Sequence, residues 1–376
     1  MNDPRIDFLY LSEQDMVASG VTDMASCVDT MVDMFSALGA GDYIMGGANR
    51  NSHGVFLDFP ETSEFPNMPL AGPDRRFMAM PAYLGGSFDA IGSKWYGSNV
   101  ANRERGWPRS IHMFTLSDKE SGAPLAVMSA NLLSAYRTGA IPGVGARLLA
   151  VENARVLGMI GPGVMNSTSL EAFVVARPSL EVVKVFGRSA GSTQAFVNRA
   201  AERFPHLKIE VVDSAEAAVR ESDIVSVATS SAAGAENYTF VKEEWIKPGA
   251  LICLPATINM DPEFVLNRAR NVADSSRMYE SYAEELGAPA HDIVGILGVF
   301  WNDLIAAGRM ERSSIGDLGS IAAGREPGRI SDEEIILLAI GGMPVEDVAW
   351  ASVVYQNALE RGIGTKLMLW DKPVLT

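Results

Sequence analysis

Apolar positions along this chain follow two patterns that meet near residue 150. From Asn153 onward, short runs rich in Val and Ile alternate with segments whose apolar residues recur at helical spacing. The runs are ARVLGMIG (154–161), EVVKVFG (181–187), KIEVVD (208–213), DIVSVAT (223–229), GALICLP (249–255) and RNVADS (270–275). Strands covered by helices on both faces read as continuous apolar runs, so this alternation predicts repeated βαβ units and a doubly wound parallel sheet, an α/β Rossmann-type domain. The N-terminal pattern differs. IHMFTLSDKESGAPLAVMSA reads as an antiparallel hairpin with a polar turn, and RRFMAMPAYLGG and AIGSKWYGSNV as strands broken by Gly and Pro. A separate α+β domain is expected there. PVEDVAWASVVYQNALERGIG shows a helical stripe of Val348, Ser352, Tyr355 and Leu359 with a glycine stop, and is expected to return to that first domain. The expected division is therefore 1–135 with 320–376, and 136–319.

The first of the βα runs ends in Gly161-Pro162-Gly163 and a helix follows. Gly161 permits a tight bend, Gly163 lets backbone amides approach a pyrophosphate, and Val164, Met165 and Asn166 open a helix whose N-terminus carries free N–H groups and positive dipole. Asn166 stands where a third glycine is usual, which implies a slightly wider helix-to-strand approach. A Gly-x-Gly alone is weak evidence, but strand before, helix after and five further runs behind make it a dinucleotide turn. The second run ends in Gly187-Arg188-Ser189 with no carboxylate to grip a ribose 2′-hydroxyl. An arginine fork beside a hydroxyl suits a 2′-phosphate, so NADP(H) is preferred and NAD(H) possible. The alternative is that Arg188 only solvates a loop. Thr138 and Thr229 complete the expected cofactor-contacting set.

Composition narrows the function. The 376 residues, 47% of them hydrophobic, suffice for two cores, and the formal net charge of -15 argues against a groove that tracks nucleic-acid phosphates. Small-molecule partners fit better. Cys27 and Cys253, the only cysteines, with four histidines give no disulfide framework and no metal box, and a reducing compartment is expected. The N-terminal residues carry acids where a signal peptide needs an apolar run, and no long apolar stretch suggests a membrane span. A cytoplasmic protein is expected.

The stretch GAPLAVMSANLLSAYRTGAIPGVGARLLA and the glycine turn after it resemble the ornithine cyclodeaminase and mu-crystallin family. RRFMAMPAYLGG, GSKWYGSNVAN, FGRS, GREPGRISDEEI and GMPVEDVAWASVVYQNALERGIG match in the same order across most of the chain. The resemblance implies a homodimer in which a Rossmann domain is inserted between two parts of a substrate-binding and dimerisation domain. It further implies that Arg137 holds a substrate carboxylate and that Lys94 is the substrate-site lysine, with Arg50 a poorer match to an early-strand arginine. Chemistry agrees for the first two: a guanidinium is a natural carboxylate anchor, and a desolvated lysine can polarise a carbonyl or imine or pass a proton. Their alternatives are an interdomain salt bridge and a snorkelling strand-end lysine. His112 is a further acid or base candidate, Trp95, Tyr96 and Trp107 candidates for lining a pocket.

One departure decides between branches of the family. Where cyclodeaminases and related dehydrogenases of the family carry an Asp in the loop after the KPGALI strand, the chain reads Leu254-Pro255-Ala256-Thr257, and Asp261 precedes Pro262 as a helix cap. Asp317 is the remaining acid that could stand in, though a solvated turn is the simpler reading. Without that acid, ring-closing deamination is hard to stage and a plain hydride transfer at a C–N carbon of an amino acid, amine or keto-acid-derived imine is expected, as in the opine-type and imine-reducing branches. The rivals are a cyclodeaminase-type lyase that uses NAD catalytically and a non-catalytic protein that holds NADP(H) and a small ligand.

Overall fold

The computed structural model describes residues 4–375, and the chain divides into two compact units. The first takes the chain up to Asp23, then Asp42–Arg137, then everything from Met343; the second takes Met24–Gly41 and Thr138–Gly342. Two boundaries therefore differ from those expected, 1–135 with 320–376 and 136–319. Strand Ile335–Ala339 lies inside the parallel sheet, which carries the second unit past residue 319 and delays the return to Met343. Helix Met24–Ala40 also joins the second unit. There Gly39 meets the backbone of Gly319 so closely that a Cβ on it would sit 2.2 Å from the carbonyl oxygen, a fit open only to glycine.

In the first unit, an eight-stranded mixed sheet runs Thr365–Trp370, Ile6–Leu11, Pro124–Ser129, Ser110–Ser117, Ala90–Ser98, Arg76–Leu84. Tyr43–Met45 and Val55–Asp58 both pair with Arg76–Leu84. The expected hairpin is present: Ser110–Ser117 and Pro124–Ser129 pair antiparallel, and Asp118 accepts the Ser121 amide at 2.7 Å within the turn. Side chains alternate across these strands, so Met78, Met80, Lys94, Tyr96 and Phe114 lie on one buried face. Helix Pro344–Arg361 packs against the three central strands that carry them.

That helix begins with proline at its first turn and ends on Gly362 in the left-handed region. Its buried stripe is Asp347, Trp350, Ala351, Val354 and Ala358. The stripe expected from sequence is rotated: Val348 is buried, but Leu359 is half exposed, and the first turn of the helix is buried on all sides. Trp350 Nε1 donates to the Val21 carbonyl at 3.1 Å, fixing the helix to the N-terminal segment.

The second unit holds eight parallel strands in the order Lys208–Val211, Val182–Phe186, Val156–Ile160, Ile224–Val227, Leu251–Leu254, Ile335–Ala339, Ala269–Ala273, Ile315–Asp317. All six expected runs are strands of this sheet. Ile224–Val227 and Leu251–Leu254 are buried at every position, which is why they read as apolar runs, broken only at Ser226. The strand order reverses between Val156–Ile160 and Ile224–Val227, and the carboxyl ends at such a reversal are where this architecture binds ligands. Among the described residues no helix is long and apolar enough to cross a membrane.

Candidate functional site

Four charged side chains meet inside the first unit. Lys94 Nζ donates to Asp347 Oδ2 at 2.8 Å and to the Ser134 hydroxyl at 3.2 Å. Arg137 Nε donates to Asp347 Oδ1 at 2.9 Å, and its Nη1 pairs with Glu346 Oε2. Lys94 comes from a central strand, Arg137 from helix Asn131–Leu149, and both acids from the first turn of helix Pro344–Arg361. All four side chains are at most 5% exposed. Burying one such charge alone is costly, and two cations against two carboxylates is the arrangement that makes it tolerable.

The balance inside the cluster is uneven. Burial pushes Lys94 down to about 8, and the neighbouring Arg137 charge adds to it, while Asp347 and Glu346 pull the other way. Asp347, buried as deeply, is held below the usual carboxylate range because Arg137 and Lys94 together outweigh its desolvation. Arg137 stays charged: burial opposes its charge, but the two carboxylates more than compensate. The result is a fixed guanidinium beside an ammonium that can give up its proton near neutrality, with Asp347 orienting both. Such a pair can hold a carboxylate and move one proton to or from an adjacent atom.

Sequence reasoning missed Glu346 and Asp347. Acids in a first helical turn usually complement the helix dipole at the surface. A signal was present nonetheless: Asp347 shares the helical stripe of Trp350 and Val354, a polar residue on an apolar face.

In the second unit the glycine turn has the shape expected of it. Gly161 sits at φ 93, and a Cβ there would lie 2.5 Å from the Ala228 carbonyl oxygen; beside Gly163 a Cβ would meet nothing. Helix Val164–Ala176 starts from Gly163 with no side-chain cap, leaving its first amides for a ligand. Asn166 is fully buried rather than a spacer. Its amide donates to the Ile160 and Gly161 carbonyls at 3.1 and 2.9 Å and its oxygen accepts from Ser226 at 2.7 Å, tying the turn to the next strand. The open cradle at Gly163 and the uncapped amides of Val164 and Met165 fit a pyrophosphate.

Arg188 is exposed after strand Val182–Phe186 and donates to the Ser230 carbonyl at 3.0 Å. Ser189 caps the next helix, its hydroxyl accepting the Ser192 amide at 3.4 Å. Thr229 shares a 2.8 Å hydrogen bond with Thr239, and Thr138 is half-buried. Arg50 lies exposed at φ 61. Asp261 caps helix Pro262–Asn267 as expected, accepting from Glu263 at 2.8 Å. Asp317 likewise caps a short helix through Ser320 at 3.0 Å. Trp95 and Trp107 are exposed, Trp95 on the sheet face opposite Lys94, whereas Tyr96 shares the lysine's face. His112 faces Tyr96 across the strand pair, with ring centroids 4.8 Å apart, and its Nδ1 is buried without a hydrogen-bond partner.

Comparison with known proteins bears on both units. The model of the ornithine cyclodeaminase/mu-crystallin family matches residues 20–362. N-((2S)-2-amino-2-carboxyethyl)-L-glutamate dehydrogenase of Staphylococcus aureus (strain NCTC 8325 / PS 47) is 25% identical over 366 residues, 97% of this chain and 99% of that protein. The fold is similar to that of Thermococcus litoralis Delta(1)-pyrroline-2-carboxylate reductase in complex with NADH and L-proline, with TM-score 0.76 and 25% identity over 96% of this chain and all of that one. It is equally similar to an archaeal alanine dehydrogenase dimer with bound NAD, with TM-score 0.77 and 27% identity over 97% of this chain and 100% of that chain.

Proposed function

The chain belongs to the ornithine cyclodeaminase/mu-crystallin family, and from that premise we propose that it is a nicotinamide-dinucleotide-dependent oxidoreductase acting on the C–N bond of an amino acid, imine or opine-type substrate. The observation that carries this reading is the buried Lys94–Asp347–Arg137 cluster. Arg137 anchors the substrate carboxylate through Nη2, the guanidinium nitrogen that neither Asp347 nor Glu346 engages, and Lys94 delivers a proton to the substrate nitrogen in the reductive direction or removes it in the oxidative one. Asp347 keeps the lysine aimed and the two cations compatible. Gly161, Gly163 and the amides of Val164 and Met165 would hold the dinucleotide, which when bound supplies or accepts the hydride.

Absence of an acid at Leu254-Pro255-Ala256-Thr257 favours this over a redox-neutral deaminating ring closure, since that reaction manages protons at two nitrogens. Arg188, exposed in a Gly187-Arg188-Ser189 segment that carries no carboxylate, supports a preference for NADP(H) over NAD(H). A second copy of the chain is the partner proposed for the outer face of the first-unit sheet, where Phe77, Trp95, Ile111 and Met113 stand exposed. The testing experiment is loss of reduced-nicotinamide absorbance with NADPH and NADH across 2-keto acids paired with ammonia, amines and amino acids, cyclic imino acids included. Turnover supports the reading; silence with every pair overturns it.

A further inference from the structure

Beyond Lys94, the same buried sheet face carries polar atoms that the protein leaves unsatisfied. Strand register puts Met80, Lys94 and Phe114 in one row and Met78, Tyr96 and His112 in the next. Tyr96 is the hinge between them: Lys94 Nζ lies 5.9 Å from its ring centroid, and the His112 ring packs beside it. The Tyr96 hydroxyl donates at 3.0 Å to the Met78 thioether, a weak acceptor for a phenol that is 7% exposed. Arg76, one pair further along, interacts electrostatically with that hydroxyl. Its Nε is buried with no partner, as is His112 Nδ1. Buried polar atoms are nearly always paired, so orphans on neighbouring positions of one face call for a ligand.

Charge and donor type say which ligand. Arg76 Nη1 and Arg109 both pair with Asp74, which also accepts from Ser98, so two guanidiniums share one carboxylate. Asp58, opposite Arg76 in the strand register, is exposed and correspondingly screened. An Arg N–H can only donate, a phenol donates readily, and the imidazole is neutral, its charged form suppressed by burial and then by Lys94. A group with several lone pairs and negative charge satisfies all three.

We propose that Arg76, Tyr96 and His112 form a second anion subsite beside Lys94, which takes a carboxylate at the far end of the substrate. This rests on the reading of Lys94 and Arg137 as the reacting end of the same site. Moving two residues along a strand covers roughly 7 Å, the reach of a dicarboxylic amino or keto acid rather than of alanine. The substrate class is accordingly a dicarboxylic amino acid, or an imine built from one.

Kinetics with matched substrates test it. For 2-keto acids of equal chain length, with and without a terminal carboxylate and each paired with the same amine, the wild-type protein should favour the dicarboxylate at least tenfold in kcat/KM. That ratio should collapse toward one in Arg76→Met and in His112→Phe, which keeps the packing on Tyr96, and recover in part in Arg76→Lys. Thermal melts identify variants that have lost the fold. A wild-type ratio below twofold, or a ratio that both variants preserve, overturns the subsite while leaving the oxidoreductase reading in place. If no substrate turns over, that reading has failed, and titration calorimetry with glutarate decides the subsite alone: saturable binding weakened at least tenfold by Arg76→Met supports it, and absence of binding overturns it.

Discussion

Lys94 and Asp347, 253 positions apart in the sequence, are joined by a 2.8 Å ion pair in which the side chains are 2% and 0% exposed. Because Asp347 is shared with Arg137, removing it leaves the buried Lys94 without its carboxylate and Arg137 with Glu346 alone. Breaking a buried pair by deleting one partner costs about 3–5 kcal/mol. Asp347→Ala should therefore lower stability by that order in chemical denaturation. Lys94→Met leaves the Asp347–Arg137 pair intact and should destabilise less, while turnover falls by roughly 10²–10⁴, the usual contribution of a positioned proton donor. A Lys94→Met protein with wild-type kcat removes the lysine from the mechanism.

The pH profile carries the sign of the lysine's role. With Lys94 at about 8, it is protonated below that pH and can donate; above it the proton is gone. Reductive kcat/KM should fall above about pH 8, and oxidative kcat/KM should rise through the same region. His112, pushed to about 3 by burial, stays neutral and adds no limb between pH 5 and 8. Profiles measured in both directions with opposite slopes meet the prediction, and profiles of the same slope contradict it.

Much of the fold and half of the charged cluster are legible in the sequence, and the exceptions have physical causes. The apolar runs mark six of the eight strands of the parallel sheet, leaving out Ile315–Asp317 and Ile335–Ala339, because strands buried on both faces are mostly apolar and a buried polar residue such as Ser226 needs a partner. Lys94 and Arg137 are legible through their flanking motifs. Glu346 and Asp347 are not, since nothing local separates an acid at a solvated helix start from one buried under a sheet. Periodicity places Leu359 in the buried stripe, yet it is half exposed, because periodicity gives a helix its amphipathic period but not the angle at which it docks. The pairing of Gly39 with Gly319 and the orphan atoms of Arg76 and His112 are tertiary facts with no local trace.

Asn166 is the buried clamp of the glycine turn, making three hydrogen bonds to Ile160, Gly161 and Ser226. Asn166→Ala removes all three bonds and takes the acceptor from the buried Ser226 hydroxyl, while the Ile160 and Gly161 carbonyls keep the Ala228 and Gly163 amides, at about 1–3 kcal/mol. Denaturant melts should show that loss, and the affinity for dinucleotide measured by fluorescence titration should fall with it. Asn166→Gly, the residue more usual at this position, should not restore stability, because the clamp and not the space is what matters here.

Arg188 offers its guanidinium to solvent apart from one bond to Ser230. If it grips a 2′-phosphate, Arg188→Ala should raise the KM for NADPH about tenfold, the loss of one charge-assisted contact, and leave the KM for NADH within twofold. Equal effects on both cofactors would show that Arg188 only shapes the loop.

The outer face of the first-unit sheet makes the last prediction. Phe77 and Trp95 stack there with centroids 5.6 Å apart, and Ile111 and Met113 continue the patch at 49% and 50% exposure. Contiguous aromatic and aliphatic side chains on a sheet face are unusual on a surface facing water. Two copies related by a two-fold axis would bury the same patch on each. Light scattering should then report twice the chain mass of 40.3 kDa. Trp95→Glu combined with Met113→Glu places charges at the centre of that contact, on the face opposite Lys94, and should give the single-chain mass with an unchanged circular dichroism spectrum. A wild-type protein that already runs as a single chain at micromolar concentration removes the second copy from this face.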